Sequence, residues 1–70
     1  MKLWLTPAEI AELALPGLPT TKRNVNLLAE REDWARFVGM CRPRAGRGGG
    51  VEYHVNLLPV AARTAYFGDR

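Results

Sequence analysis

The chain has 70 residues, of which 47% are hydrophobic and 24% charged, a composition typical of one small folded domain. So short a chain excludes an enclosed catalytic cleft, and its single cysteine and single histidine exclude a disulfide framework and a zinc site of four such ligands. No apolar run approaches the ~20 residues that span a membrane, and residues 1–5 are too few for the core of a signal peptide. We therefore expect a cytoplasmic protein with no membrane partner.

The net charge of +3 is unevenly distributed along the chain. Residues 20–50 carry a net charge of +4, residues 1–19 carry −1, and residues 51–70 are neutral overall. Eight of the ten basic residues are arginine, which forms bidentate hydrogen bonds with phosphate and guanine. This central excess of positive charge favours a polyanionic partner, and a solvated basic surface is the alternative explanation.

The first predicted helix follows a short extended segment at residues 2–5. Thr6 and Glu9 have the spacing of a capping box, and Pro7 suits the first helical position because its missing N–H is not needed there. The sequence Pro-Gly-Leu-Pro at 16–19 ends the helix, since proline cannot continue it. The apolar residues expected to form its buried stripe are Ile10, Leu13 and Ala14.

A second helix is predicted from a cap at Thr20 or Thr21 to about residue 33. The apolar face at helical spacing consists of Val25, Leu28 and Ala29. The opposite face carries Arg23, Asn24, Leu27 and Arg31. Two helices joined by a turn of four residues have the outline of a helix-turn-helix.

The rest of the chain predicts a β-hairpin and a last helix. Trp34 is expected to anchor the core, followed by strands at 36–42 and 51–55 around a loop rich in glycine and arginine. Alternation in the second strand predicts that Val51, Tyr53 and Val55 face inward. The last helix is expected to begin near Pro59 and to carry Val60, Ala61, Ala62, Ala65 and Phe67. The predicted fold class is α+β: a winged helix, in which a helix-turn-helix precedes a β-hairpin wing and a C-terminal helix.

The polar face of the second helix is the first candidate site. The major groove of DNA admits one helix, in which Arg reads guanine, Asn reads adenine and an apolar side chain contacts the thymine methyl group. Arg23, Asn24 and Leu27 offer these three chemistries. The alternatives are that Leu27 packs beneath the hairpin or Trp34, and that Arg31 merely pairs with a neighbouring glutamate.

The start of the second helix is another candidate. Unpaired N–H groups at a helix N-terminus bind phosphate oxygens, and Thr20, Thr21 and Lys22 could add to such a site. One threonine is expected to cap the helix, and the other, with Lys22, to contact the DNA backbone.

The tip of the hairpin is the third candidate. Arginines inserted into a narrow minor groove exploit its negative potential, and glycines allow a close approach of the backbone. The predicted wing residues are Arg42, Arg44, Gly46, Arg47, Gly48 and Gly49. A flexible loop that is merely basic is one alternative, and a segment of the RGG type that binds RNA is another.

No residue pattern indicates an enzyme. The sequence lacks serine, and its glycine cluster lacks the Gly-Lys-Ser/Thr ending of a nucleotide-binding loop. His54 is expected on an exposed strand face, and Cys41 is expected to be buried and inert. We therefore expect no catalytic residue, no metal, no cofactor and no small-molecule substrate.

The chain resembles the N-terminal DNA-binding domain shared by the transposases and repressors of phage Mu and similar prophages. The segments that carry the resemblance are Trp4-Leu5-Thr6 with Glu9, Leu15-Pro16-Gly17-Leu18-Pro19, Trp34, Arg44-Ala45-Gly46 with Gly48-Gly49, Glu52-Tyr53 and Leu58-Pro59-Val60. The resemblance implies a winged helix that binds enhancer or operator DNA. It also implies that helix 21–33 lies in the major groove and the wing at 44–50 in the minor groove.

We therefore predict that residues 1–70 form a single non-catalytic winged-helix domain that binds double-stranded DNA. The favoured parent is a Mu-like transposase in the cytoplasm of a bacterial host, with further copies of the parent on the same DNA as additional partners. A Mu-like repressor that regulates transcription is the alternative parent. A winged helix that binds another protein ranks lower.

Overall fold

The computed structural model describes residues 2–43 and 50–68. Its helices and strands are β1 (Trp4–Leu5), α1 (Pro7–Leu13), α2 (Lys22–Arg31), β2 (Cys41–Pro43), β3 (Val51–His54) and α3 (Val60–Gly68). Short 3₁₀ helices cover Trp34–Arg36 and Val55–Leu57. The order of strand, two helices, hairpin and helix confirms the predicted α+β winged helix.

The start of α1 has the predicted capping box. The Thr6 hydroxyl accepts a hydrogen bond from the Glu9 backbone N–H at 3.2 Å, and the Glu9 carboxylate accepts one from the Thr6 N–H at 2.8 Å. The same carboxylate pairs with the Lys2 ammonium group. The Lys2 hydrogen bond, followed by that from the Thr6 N–H, lowers the pKa of Glu9 because both favour the ionised form.

The predicted buried stripe of α1 is wrong at two of its three positions. Ile10 is fully buried, but Leu13 is 41% exposed and Ala14 is also exposed. The helix ends at Leu13, and Ala14 adopts a left-handed conformation with φ of 49°, so the chain turns away before the predicted stripe is complete. Ala11 is buried beside Ile10 instead.

The connection between the two helices is longer than the predicted turn of four residues, because it covers residues 14–21. Leu15 and Leu18 are each 8% exposed, so the connection supplies part of the core. The Leu18 N–H donates to the Leu15 carbonyl at 3.1 Å, and Gly17 within that turn has a φ of +79°. Glycine suits this position because a side chain is strained at positive φ.

The inner face of α2 agrees with the predicted spacing. Val25 is fully buried, Ala29 is buried and Leu28 is partly buried against the core. The helix ends at Arg31, two residues before the predicted end. The buried apolar side chains of the core are Leu5, Ile10, Ala11, Leu15, Leu18, Val25, Ala29, Trp34, Val55, Leu58 and Ala62.

The three strands form an antiparallel sheet in the order β1-β3-β2. In β1, Trp4 lies opposite His54 and Leu5 opposite Tyr53. In β2, Cys41 lies opposite Tyr53, Arg42 opposite Glu52, and Pro43 opposite Val51. The central strand β3 thus joins the hairpin to the segment that leads into α1.

The predicted strand at 36–42 is wrong over most of its length, since β2 covers only Cys41–Pro43. The burial of Trp34 draws the chain toward the core, and the Phe37 N–H then donates to the Trp34 carbonyl in a 3₁₀ turn. Val38 is 97% exposed, so this segment has no buried side to place against the sheet. Val51 was predicted to face inward but is 38% exposed, because it lies at the end of β3 nearest the loop.

The last helix begins at Val60, one residue after Pro59, as predicted. Ala62 is fully buried, and Ala65 and Phe67 are partly buried against the core. Val60 and Ala61 lie on the exposed side of this helix. The Tyr66 hydroxyl donates to the Lys2 carbonyl at 2.8 Å and ties α3 to the start of the chain.

We predict that Glu9 makes the free energy of unfolding fall as the solution becomes acidic. Because its pKa is lowered in the folded state, its contribution is present above the ordinary value of 4.5 and is lost as the pH falls through the folded pKa. Glu9→Gln keeps an acceptor for the capping box but removes the charge, and it should lower stability at pH 7 by up to about 1 kcal/mol. Urea unfolding of both proteins from pH 7 to pH 3 measures the difference.

The difference between the wild type and Glu9→Gln should shrink as the pH falls. Glu12→Gln, which removes a charge from an exposed position on the same helix, is the matched control. A difference for Glu9→Gln that stays constant down to pH 3 would contradict the assigned role of Glu9.

Candidate nucleic-acid interface

The outer face of α2 is open to solvent. Arg23, Asn24, Leu27 and Arg31 are all exposed, as their positions opposite the buried face predicted. Arg23, Leu27 and Arg31 follow one another at intervals of four residues and so form one row along the helix. Leu27 is 51% exposed, so it is not buried beneath Trp34 or beneath the part of the hairpin that the structure describes.

Arg31 lies at the far end of this row and has a weak partner. Its Nε is 3.9 Å from a carboxylate oxygen of Glu32, and the Arg31 side chain is 74% exposed. An exposed ion pair at this distance contributes little to stability. The pairing therefore leaves the Arg31 guanidinium accessible to an anion.

The two threonines before α2 have different roles. The Thr21 hydroxyl accepts a hydrogen bond from the Asn24 backbone N–H at 3.2 Å, so Thr21 is the N-cap. Thr20 is exposed and takes no part in that cap. This agrees with the expectation that only one of the two caps the helix.

The N-terminal turn of α2 has positive electrostatic potential. Lys22 and Arg23 both lie in it, and it contains no acidic side chain. The helix dipole places further partial positive charge at the same end. Two cations there cost helix stability, and the combined potential attracts an anion such as phosphate.

The structure describes the base of the hairpin but not its tip. Arg44, Gly46, Arg47, Gly48 and Gly49 of the predicted wing lie outside the described residues. Arg42 lies in β2, where its Nε donates to a Glu52 carboxylate oxygen at 2.9 Å. Its guanidinium also lies over the ring of Trp4, 4.3 Å from the ring centroid.

Sequence reasoning missed the partners of Arg42. The signal lay in the cross-strand register, which places Arg42 directly opposite Glu52. That register depends on the length of the loop and on where β2 begins, and the sequence placed β2 five residues too early. Trp4 is partly buried and packs on the outer side of the sheet.

The remaining reactive side chains have structural partners. The Cys41 thiol donates to the Trp34 carbonyl at 3.2 Å, and burial raises the pKa of this thiol, which disfavours the reactive thiolate. His54 was expected on an exposed face, but it is partly buried. Its Nδ1 accepts the Asn56 N–H at 3.1 Å and its ring packs edge-on against Trp4.

Within residues 2–43 and 50–68, no three His, Cys, Asp or Glu side chains lie close enough together to bind a metal ion. None of the helices in these ranges has the length and apolar character that a membrane span requires.

We predict that the two threonines differ in their effect on stability. Thr21→Ala removes the N-cap acceptor and should lower the free energy of unfolding by about 1 kcal/mol. Thr20→Ala changes an exposed residue outside the cap and should stay within about 0.5 kcal/mol of the wild type. Urea unfolding monitored by circular dichroism measures both variants, and equal losses would contradict the assignment of Thr21 as the cap.

Comparison with known proteins identifies one family. Residues 10–69 match the family model described as the Mu DNA-binding domain. A solved structure described as the DNA-binding domain of Mu transposase, a winged helix-turn-helix protein, superposes with a TM-score of 0.69. It is 42% identical to this chain, and the match covers 93% of this chain and 79% of the other.

Two curated relatives are longer proteins. The chain is 40% identical over 52 residues to the Mu-like prophage FluMu transposase A of Haemophilus influenzae, which covers 74% of this chain and 7% of the relative. It is 35% identical over 68 residues to the Repressor c protein of Escherichia phage D108, which covers 97% of this chain and 36% of the relative. The chain thus spans a small part of the transposase and about a third of the repressor.

Proposed function

Because the chain belongs to the Mu DNA-binding domain family, and is therefore a non-catalytic winged-helix module that binds double-stranded DNA, we propose that it recognises a specific DNA sequence through α2 and the wing. The observation that carries this proposal is the outer face of α2, which presents Arg23, Asn24 and Leu27 to solvent in the middle of the chain's most basic region. A helix of this kind fits the major groove, whose base edges these three side chain types can read.

The residues of this interface have separate roles. Arg23 and Asn24 lie in the first turn of α2 and read base edges, since recognition helices use their N-terminal residues for this purpose. Thr20 and Lys22 contact phosphates beside them, and the Thr21 cap holds the end of the helix in shape. Arg31 contacts the backbone at the other end of the row.

The wing provides the second contact. Its arginines, Arg44 and Arg47, enter the minor groove, and Gly46, Gly48 and Gly49 allow the chain to approach the sugar-phosphate backbone. This part of the proposal comes from the sequence of the loop. The base of the hairpin supports it, because β2 ends at Pro43 and β3 begins at Val51, on either side of that loop.

We place this domain in a Mu-like transposase, where it would bind enhancer or operator DNA during transposition in the cytoplasm of a bacterial host. The higher identity to the transposase and to the solved transposase domain supports this parent. The Mu-like repressor is the alternative, and the longer match to the D108 repressor favours it. In either parent, residues 1–70 act as one module, without a small-molecule substrate and with further copies of the protein on the same DNA.

The experiment that tests the function is duplex binding as a function of salt. A duplex is first enriched from a random-sequence pool by binding to this domain, and it is called the selected duplex below. Binding that neutralises several phosphates weakens steeply as salt rises, whereas an apolar protein interface would not respond in this way. Single-stranded RNA that competes better than the selected duplex would indicate RNA as the ligand instead.

We predict that Arg23 and Asn24 determine the preference for the selected duplex over a scrambled one. Replacing both with alanine should reduce this discrimination by about 1–3 kcal/mol for each good base contact that the replacement removes. Titrations of both duplexes at one salt concentration measure the ratio of affinities. Arg36→Ala, which removes an exposed arginine outside α2, is the control and should leave that ratio unchanged. An unchanged ratio in the double variant would remove these residues from base recognition.

We predict that Leu27 contacts a thymine methyl group. Replacing thymine by uracil, one position at a time in the selected duplex, removes single methyl groups without altering the protein. One such replacement should weaken binding by about 0.8 kcal/mol, the value of one buried methylene-sized group. Leu27→Ala should abolish the effect of that replacement.

The control for Leu27 is Val38→Ala, a truncation of an exposed apolar side chain outside α2. It should leave the uracil effect intact. Equal uracil effects in the wild type and in Leu27→Ala would contradict the contact.

A further inference from the structure

The outer side of the sheet carries a connected group of four side chains at the base of the hairpin. Arg42 lies opposite Glu52, and Trp4 lies opposite His54. Glu52 and His54 are two residues apart in β3 and therefore point to the same side of the sheet. The four side chains, Trp4, Arg42, Glu52 and His54, are called the outer cluster below.

Arg42 contacts the other two strands at once. Its Nε donates to the Glu52 carboxylate at 2.9 Å, which joins β2 to β3. Its guanidinium covers the Trp4 ring at 4.3 Å from the centroid, which joins β2 to β1. The edge-on packing of His54 against Trp4, with ring centroids 5.1 Å apart, completes the link between β1 and β3.

The backbone alone fixes β2 weakly. The strand has three residues, and the last of them, Pro43, has no N–H to donate. Side-chain contacts across the strands therefore contribute much of what determines the direction in which the hairpin leaves the sheet. Trp4 in turn precedes Leu5, which is 3% exposed, and Thr6, which caps α1. The outer cluster thus connects the base of the hairpin to the helix-turn-helix.

The charge of Arg42 is already satisfied within the protein. The Glu52 side chain is only 17% exposed, while that of Arg42 is 50% exposed. Moving the guanidinium onto a DNA phosphate would leave the partly buried Glu52 carboxylate without its partner, which costs free energy. It would also give up the interaction with the Trp4 ring.

We propose that Arg42 is a positioning residue, which sets the direction of the wing relative to α2, in place of the direct DNA contact that the sequence predicted. The proposal rests on the proposed function, because its effect on binding requires that the domain bind duplex DNA. The proposal has two consequences that experiments can separate: one for the orientation of the hairpin in the free protein, and one for the affinity for DNA.

The variant that separates the two roles of Arg42 is Glu52→Gln. If Arg42 contacted a phosphate, loss of Glu52 would release its guanidinium and remove a negative charge near the DNA, so binding would become tighter. If Arg42 positions the wing, Glu52→Gln should instead weaken binding to the selected duplex by about threefold to tenfold, the lower part of the range of couplings between contacting residues. Glu12→Gln on α1 is the matched control for the change in charge, and its binding should not weaken.

A charge exchange provides the rescue. Arg42→Glu and Glu52→Arg should each weaken binding, and the double variant should return to within about threefold of the wild type because the pair forms again with opposite polarity. A direct phosphate contact would give the opposite result, since the double variant places a carboxylate where the arginine stood. Unchanged or tighter binding of Glu52→Gln, or a double variant as weak as Arg42→Glu, would overturn the proposal. Each affinity is measured at a temperature at which circular dichroism shows the variant folded, and Arg42→Gln replaces Arg42→Glu if the latter does not fold.

The orientation of the hairpin is measured without DNA. Residual dipolar couplings of the backbone amides in β2 and β3 give the orientation of these strands relative to α2. This orientation should change, or the couplings should shrink through motion, in Glu52→Gln but not in Glu12→Gln. Unchanged couplings in Glu52→Gln would refute the positioning role even if the domain binds DNA. If the wild type binds no duplex, the proposed function fails, and these couplings alone decide the role of Arg42.

Discussion

The burial of Trp34 is the interaction on which the arrangement of the helices and the hairpin depends. Trp34 is 3% exposed and lies just after α2, at the point where the chain leaves the helices for the sheet. Its ring packs edge-on against Tyr53 of β3, with centroids 5.0 Å apart, and its carbonyl accepts the Cys41 thiol at the start of β2. One side chain and its own backbone thus fix both strands of the hairpin beneath the end of α2.

The eleven buried apolar residues that form the core in the described part of the chain also shape the candidate interface. This core covers the side of α2 where Val25 and Ala29 lie, and within residues 2–43 and 50–68 the opposite side, with Arg23, Asn24 and Leu27, is exposed. The strands are two to four residues long, so few backbone hydrogen bonds join them, and the side-chain pair of Arg42 with Glu52 adds to these. The described part of the chain thus combines an exposed helix face with a hairpin base that side-chain contacts hold together.

The sequence predicted those features that neighbouring residues determine. The capping box of Thr6 and Glu9, a threonine cap before α2 and the buried spacing of Val25 and Ala29 involve residues at most four apart. The predictions were wrong where contacts between distant residues determine the structure. One case is α1, which ends before Ala14, and the other is β2, which is short because it follows the turn that the burial of Trp34 sets up. In the candidate site, the helical period was enough to predict that Arg23, Asn24 and Leu27 are exposed. The pairing of Arg42 with Glu52 depends instead on the register between two strands, in which the paired residues are ten positions apart in the sequence.

If α2 reads bases as proposed, the division between its buried and exposed positions would let one fold serve proteins with different DNA targets. Val25 and Ala29 hold the helix in place, while Arg23, Asn24 and Leu27 point outward and contribute little to the core. A change at an outward position therefore alters which bases the helix can read at little cost in stability. In our proposal the outer cluster acts on a different property, since it would set where the wing meets the duplex and would leave the side chains proposed to read bases untouched. Under this proposal, target sequence and docking geometry depend on separate residues, which is compatible with the 40% and 35% identity of this chain to a transposase and a repressor.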